Sequence, residues 1–208
     1  MKIIEPSVNI ESKITQTEAM ELIERAGRVC YKSEGKIGDG SAVKFIKGII
    51  SRGHESVIEH VSITVRVICD RGVTHEIVRH RIASYSQEST RYCNYATDKF
   101  SNEITVIRPL FWEDGSPQFY IWKQSMEDCE KAYFSLIEAG ASPQEARSVL
   151  PNSLKTEIYM TMNIREWRHF FSLRCGTAAH PQMQQVANMI LKLFKERYPL
   201  FVDDIEIQ

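Results

Sequence analysis

The 208-residue sequence has no C-x-x-C pair, and its five cysteines are odd in number and widely spaced. That excludes a zinc ribbon, argues against a disulfide framework, and makes the reducing cytoplasm the expected compartment. No apolar run approaches the roughly 20 residues that span a bilayer, and the opening MKIIEPSVNIES lacks the apolar core of a signal peptide. No membrane association is expected. Charge of one sign is missing too: 26 basic residues face 27 acidic ones, a formal net charge of −1. A protein that binds nucleic acid by neutralising phosphates needs a larger surplus, so no nucleic-acid partner is expected. Three glycine motifs are also absent, the G-x-G-x-x-G of Rossmann folds, the P-loop, and the G-x-S-x-G elbow of α/β-hydrolases. There is no internal repeat and no low-complexity segment.

What remains is an ordinary globular composition, with 43% hydrophobic and 25% charged residues, long enough to bury a real core. TEAMELIERAGRVCY has helical spacing with Thr17 as its expected cap, and AVKFIKGIISRG resumes that spacing up to Gly53 after the glycine-rich GKIGDGS. VSITVRVIC alternates apolar and polar residues, as a half-buried strand does. RGVTHEIVRHRI turns helical. EITVIRP and TEIYMTMN are expected strands. A long helix runs from SPQFYIW to a stop at Gly140, and a short one starts at Ser142 and Pro143. IREWRHFFSLRC and PQMQQVANMILKLFKERY complete the helices. Strands and helices mix without a βαβα rhythm, and no break resembles a linker. The fold class is therefore α+β, a single domain over residues 1–208 with mixed helices and a short sheet.

The stretch RHRIASYSQESTR, residues 79–91, concentrates three arginines among hydroxyl side chains. Guanidinium forks suit carboxylates and phosphates, and hydroxyls complete such anion sites. On a helical wheel Val73, Ile77, Val78 and Ile82 share one half, while His75, Glu76, Arg79 and His80 share the other. Arg81 falls within the apolar half, which is costly without an anion. Either the helix ends before Arg81, or Arg81 meets a buried anion or a second subunit. A salt-bridged helix end would explain the arginines but not the hydroxyl-rich continuation.

Other readings carry less. HESVIEH spaces His54 and His60 six apart, whereas a zinc-binding helix needs i and i+4, so no metal is expected and Glu59 and His60 should be satisfied locally. Ser89 and His80 lack an identifiable orienting acid for a hydrolase. His180 reads as a helix start, and Trp167, Phe170 and Phe171 as core. A single-strand RNA binder using Arg79 to Tyr95, with Tyr85, Tyr92 and Tyr95 as stacking platforms, is the rival from another class.

Arg79-His80-Arg81, seven residues, then Ser89 resembles the signature of flavin-dependent thymidylate synthases. GHESVIEH, EARSVLP, MNIREWRHFFSLR and MQQVANMILKLFKE follow in similar order. The resemblance implies an enzyme that converts dUMP to dTMP with FAD, NADPH and methylenetetrahydrofolate, in a homotetramer whose sites lie between subunits. It implies that Ser56, Arg79, His80, Arg81, Ile82, Gln87, Asn163, Arg165 and His169 contact the flavin, which is held outside a Rossmann domain. It gives the nucleotide Glu76, Arg79, Gln87, Ser89, Arg91, Arg147 and Arg174, with Arg174 as the catalytic group beside the uracil.

Overall fold

The computed structural model describes residues 1–207. Its strands are β1 (Lys2–Ile4), β2 (Ser7–Ile10), β3 (Ser62–Asp70), β4 (Ser84–Gln87), β5 (Thr105–Ile107) and β6 (Lys155–Asn163). Its helices are α1 (Gln16–Val29), α2 (Ser41–Ser51), α3 (Arg71–Ile77), α4 (Pro117–Glu138), α5 (Pro143–Ala146), α6 (Ile164–Arg174), α7 (Pro181–Arg197) and α8 (Pro199–Val202). The order is irregular, and the fold is α+β as the sequence predicts. β1 runs parallel to β5, and the other four strands hydrogen-bond in the order β2-β3-β6-β4.

The chain forms two compact units from discontinuous stretches. The first gathers Met1–Ser7, Val67–Arg79 and Ser86–Ile158. Its core joins Ile104, Val106 and Leu154 to Trp122, Met126 and Tyr133 on the inner face of α4. Ser116 caps α4 by accepting from the Phe119 amide, and Gly140 ends the segment at a φ of 92°, which glycine adopts freely.

The second unit gathers Val8–Arg66, His80–Tyr85 and the residues from Tyr159 onward. Its core is aromatic: Trp167 stacks on Phe171 and meets Phe194 at a centroid distance of 5.0 Å. Trp167 also donates its indole N–H to the Ile63 carbonyl at 3.0 Å, so the largest core side chain leaves no polar atom unpaired. That contact fixes α6 on β3.

Several local expectations change. α1 is capped by Thr15 rather than Thr17, through a reciprocal pairing of Thr15 with Glu18. α3 ends at Ile77, so the wheel does not extend to Arg81; Val78, Arg81 and Ile82 are exposed, Ile82 at 66%. Of the alternatives for Arg81, the helix ending early is the one observed. HESVIEH forms a 3-10 helix, Glu55–His60, and Glu59 pairs with the distant Arg165 rather than with a local group. His180 does begin α7, its Nδ1 accepting from the Gln182 amide. All five cysteines are free. Among the described residues no helix is long and apolar enough to cross a membrane.

Candidate active site

In the second unit, α6 carries the chemistry on its outer side because its inner side is committed to the aromatic core. Asn163 caps the helix, its Oδ1 accepting from the Glu166 amide at 2.9 Å. Trp167, Phe170 and Phe171 face inward and are fully buried. Arg165, His169 and Ser172, at i, i+4 and i+7, therefore line the open face. They border a cavity of about 690 Å³ that Ile82, Asn163, Glu166, Arg168, Glu55 and Glu59 also line.

Four of the expected flavin residues thus meet around one cavity: Ile82, Asn163, Arg165 and His169. Ser56 and Arg81 are exposed and are not among its lining residues. Two arginines of the lining differ in freedom. Arg168 is consumed structurally, donating to Glu55, to the Phe201 carbonyl and twice to Asp204, whose carboxyl it holds below the usual range. Arg165 is half exposed and pairs with Glu59 at 2.6 Å.

His80 lies behind this cavity. It follows α3 in irregular backbone, where alternate side chains point in and out: Arg79 and Arg81 are exposed, while His80 is 4% exposed. Tyr85 pins the segment by donating its hydroxyl to the His80 carbonyl at 2.7 Å, and burial pushes that phenol up to about 12. His80 Nδ1 stands 3.2 Å from Glu166 Oε1, and Arg174 Nε donates to His80 Nε2 at 3.1 Å. Burial, more than any neighbour, lowers the imidazole below its ordinary pKa. His169 adds its ring edge-on at 5.7 Å. His80, Glu166 and His169 offer donor atoms within 4.8 Å of one another, a spacing that suits a metal, but both His80 nitrogens already have protein partners.

The first unit holds most of the expected nucleotide residues. Ser89 and Arg91 share a tight turn, the Arg91 amide donating to Ser89 Oγ at 3.3 Å. Arg91 lies over the Tyr92 ring, and Arg147 reaches Thr90 Oγ1 at 3.5 Å. Gln87 donates its amide to Thr74 and Thr156, both at 3.2 Å, which fixes β4 and points to a structural task for that side chain. Glu76 is half-buried at the end of α3, and Arg79 is exposed beyond it.

Sequence reasoning missed three carboxylates. Glu88, inside the motif, binds Lys155 at 2.7 Å and the Tyr95 hydroxyl at 3.2 Å. Glu59 holds Arg165, and Glu166 holds His80. Glu166 looks like an ordinary first-turn acid favoured by the helix dipole, and nothing local announces its distant partner. The stacking platform of an RNA binder is overturned, because Tyr95 is buried and Tyr85 is bonded inward. Only Tyr92, 78% exposed, remains open among the three.

Residues 14–200 match the family model described as Thy1, thymidylate synthase complementing protein. A flavin-dependent thymidylate synthase of Geobacter sulfurreducens is 37% identical over 186 residues, covering 86% of this chain and 78% of the relative. One of Pyrococcus furiosus is 35% identical over 177 residues, covering 85% of this chain and 72% of the relative. Among solved structures, a UMP/dUMP methylase of Streptomyces cacaoi bound with 5-Br dUMP matches with a TM-score of 0.78 at 22% identity, over 97% of this chain and 95% of that one. At that identity the likeness speaks for the fold.

Proposed function

Since the chain belongs to the Thy1 family of flavin-dependent thymidylate synthases, we propose that it methylates dUMP to dTMP. Methylenetetrahydrofolate supplies the carbon and NADPH the two electrons. The C5 hydrogen of uracil is replaced by methyl, and the products are tetrahydrofolate and NADP. FAD, when bound, carries the reducing electrons as hydride. Residues 1–208 act as one functional domain in a cytoplasmic homotetramer, with sites assembled between subunits.

The observation that carries this reading is the convergence of Ile82, Asn163, Arg165 and His169 on one cavity, with His80 and Arg174 joined beside it. Its volume falls within the range of cofactor pockets. The lining fits a flavin nucleotide: an apolar side chain and an imidazole suit a flat ring, and the half-exposed Arg165 fork suits an anionic diphosphate. To meet that anion Arg165 would exchange its Glu59 partner, one of three carboxylates in the lining.

Arg174 stabilises negative charge on the uracil as its N3–H is polarised, which raises the nucleophilicity of C5. Ser89, Arg91 and Arg147 hold the nucleotide, Arg91 and Arg147 meeting the phosphate as charge-assisted donors. A thiolate nucleophile is not required. Burial pushes the Cys175 thiol, next to Arg174 in sequence, up to about 12, so it stays protonated near neutrality.

The test is spectral. Purified protein should show the visible absorbance of bound flavin, and the reduced flavin should reoxidise with methylenetetrahydrofolate only when dUMP is present. A colourless protein that takes up no FAD would overturn the reading.

A further inference from the structure

We propose that Glu166 positions Arg174, acting through the buried imidazole of His80. The proposal rests on the reading of Arg174 as the group that faces the uracil. Its warrant is the direction of two hydrogen bonds. Arginine has donors only, so the 3.1 Å contact from Arg174 Nε requires a lone pair on His80 Nε2. In the neutral ring the proton then sits on Nδ1, which faces the Glu166 carboxylate at 3.2 Å. The chain of donation runs one way, from guanidinium to imidazole to carboxylate.

Each link excludes its alternatives. With a proton on Nε2, two donors would face each other at Arg174. Without an acceptor at Glu166, the Nδ1 proton would be stranded in a site where His80 is 4% exposed and Glu166 8% exposed. Glu166 and Arg174 belong to the same helix but lie eight residues apart, roughly 12 Å along its axis. The imidazole, from a separate segment of the chain, bridges their two side chains. The backbone of Glu166 is anchored at the helix start, where its amide donates to the Asn163 cap at 2.9 Å. The ring therefore sets the angle of the Arg174 Nε edge, and with it the aim of the two terminal nitrogens.

A residue that merely neutralised a buried cation would act through charge; a positioning residue acts through its acceptor. Glu166→Gln and Glu166→Leu separate the two in the full-length, flavin-loaded protein. Gln keeps an acceptor oxygen and should retain most of the turnover. Leu removes it, and kcat per bound flavin should fall by about 10²-fold, the scale of a misaimed catalytic group, with the KM for dUMP little changed; turnover is read per bound flavin because Glu166 also lines the cavity. Nitrogen-15 spectra of the labelled histidines should show His80 protonated at Nδ1 in the parent and Gln forms and redistributed in the Leu form.

Gln as inactive as Leu, per bound flavin, would overturn the proposal. So would a His80 tautomer unchanged by Leu. A tautomer that shifts in the Leu form while turnover holds would leave the relay standing and instead remove Arg174 from the chemistry.

Discussion

Arg174 and Lys would carry the same charge, yet only the guanidinium offers an Nε–H to His80 and two further nitrogens in a fixed plane. Arg174→Lys should therefore bind flavin normally, because the residues lining the cavity proposed for it are untouched, while turnover falls by about 10²-fold. Flavin absorbance per chain and dTMP formation check this, and unchanged dTMP formation would count against Arg174. His80 supplies a second expectation at this scale. Its pKa in the folded protein lies below the ordinary 6.5, for burial outweighs Glu166, while Arg174 and His169 also disfavour the charged ring. Between 6.5 and the lower folded value the unfolded chain binds the proton and the folded chain does not. The stability owed to neutral His80 is thus complete above 6.5 and is lost as pH falls through that window. Urea midpoints should drop between pH 7.5 and 5.5, and His80→Gln should flatten the drop. The Arg-His-Arg signature was legible in the sequence, but the inward turn of its middle residue was not. That turn depends on Tyr85, five residues on, and on Glu166, which belongs to another element.

Long elements were read well because burial of one face repeats a period over many residues, as in β3, α4, α6 and α7. β1, β2 and β4 span three or four residues each, too few for any period to show. The misplaced cap of α1 was recoverable: Thr15-Gln16-Thr17-Glu18 contains the Thr-x-x-Glu pattern, and the Thr15 amide donates to Glu18 at 2.8 Å. The end of α3 was not recoverable from periodicity, because Val78 and Ile82 are apolar in sequence and exposed in the fold. α1 also offers a test of packing against propensity. Gly27 sits in the last turn of that helix, where alanine would ordinarily stabilise by about 0.5–1 kcal/mol. A methyl there would run into the Phe45 ring of α2 and touch Val57. Overpacking of that kind costs about 1–3 kcal/mol. Gly27→Ala should therefore lower Tm, and Phe45→Leu in the same chain should recover part of the loss; a raised Tm in the single variant would mean that the two helices part easily.

Each unit of the molecule draws on separated stretches of chain, which is why no linker composition marks a division in the sequence. Ser89, Arg91 and Arg147 belong to one unit and Arg174 to the other. We propose that in a homotetramer whose sites lie between subunits, the Arg91 and Arg174 of one site are drawn from different chains. Arg91→Ala and Arg174→Ala should each be inactive alone. Mixed equally under conditions that exchange subunits, they should recover about one quarter of the parent activity, because each of the two positions is intact half the time in a symmetric assembly. No recovery would assign both arginines to one chain. Light scattering at assay concentration decides the broader claim, since a monomer that keeps its flavin and full turnover would have no need of a shared site.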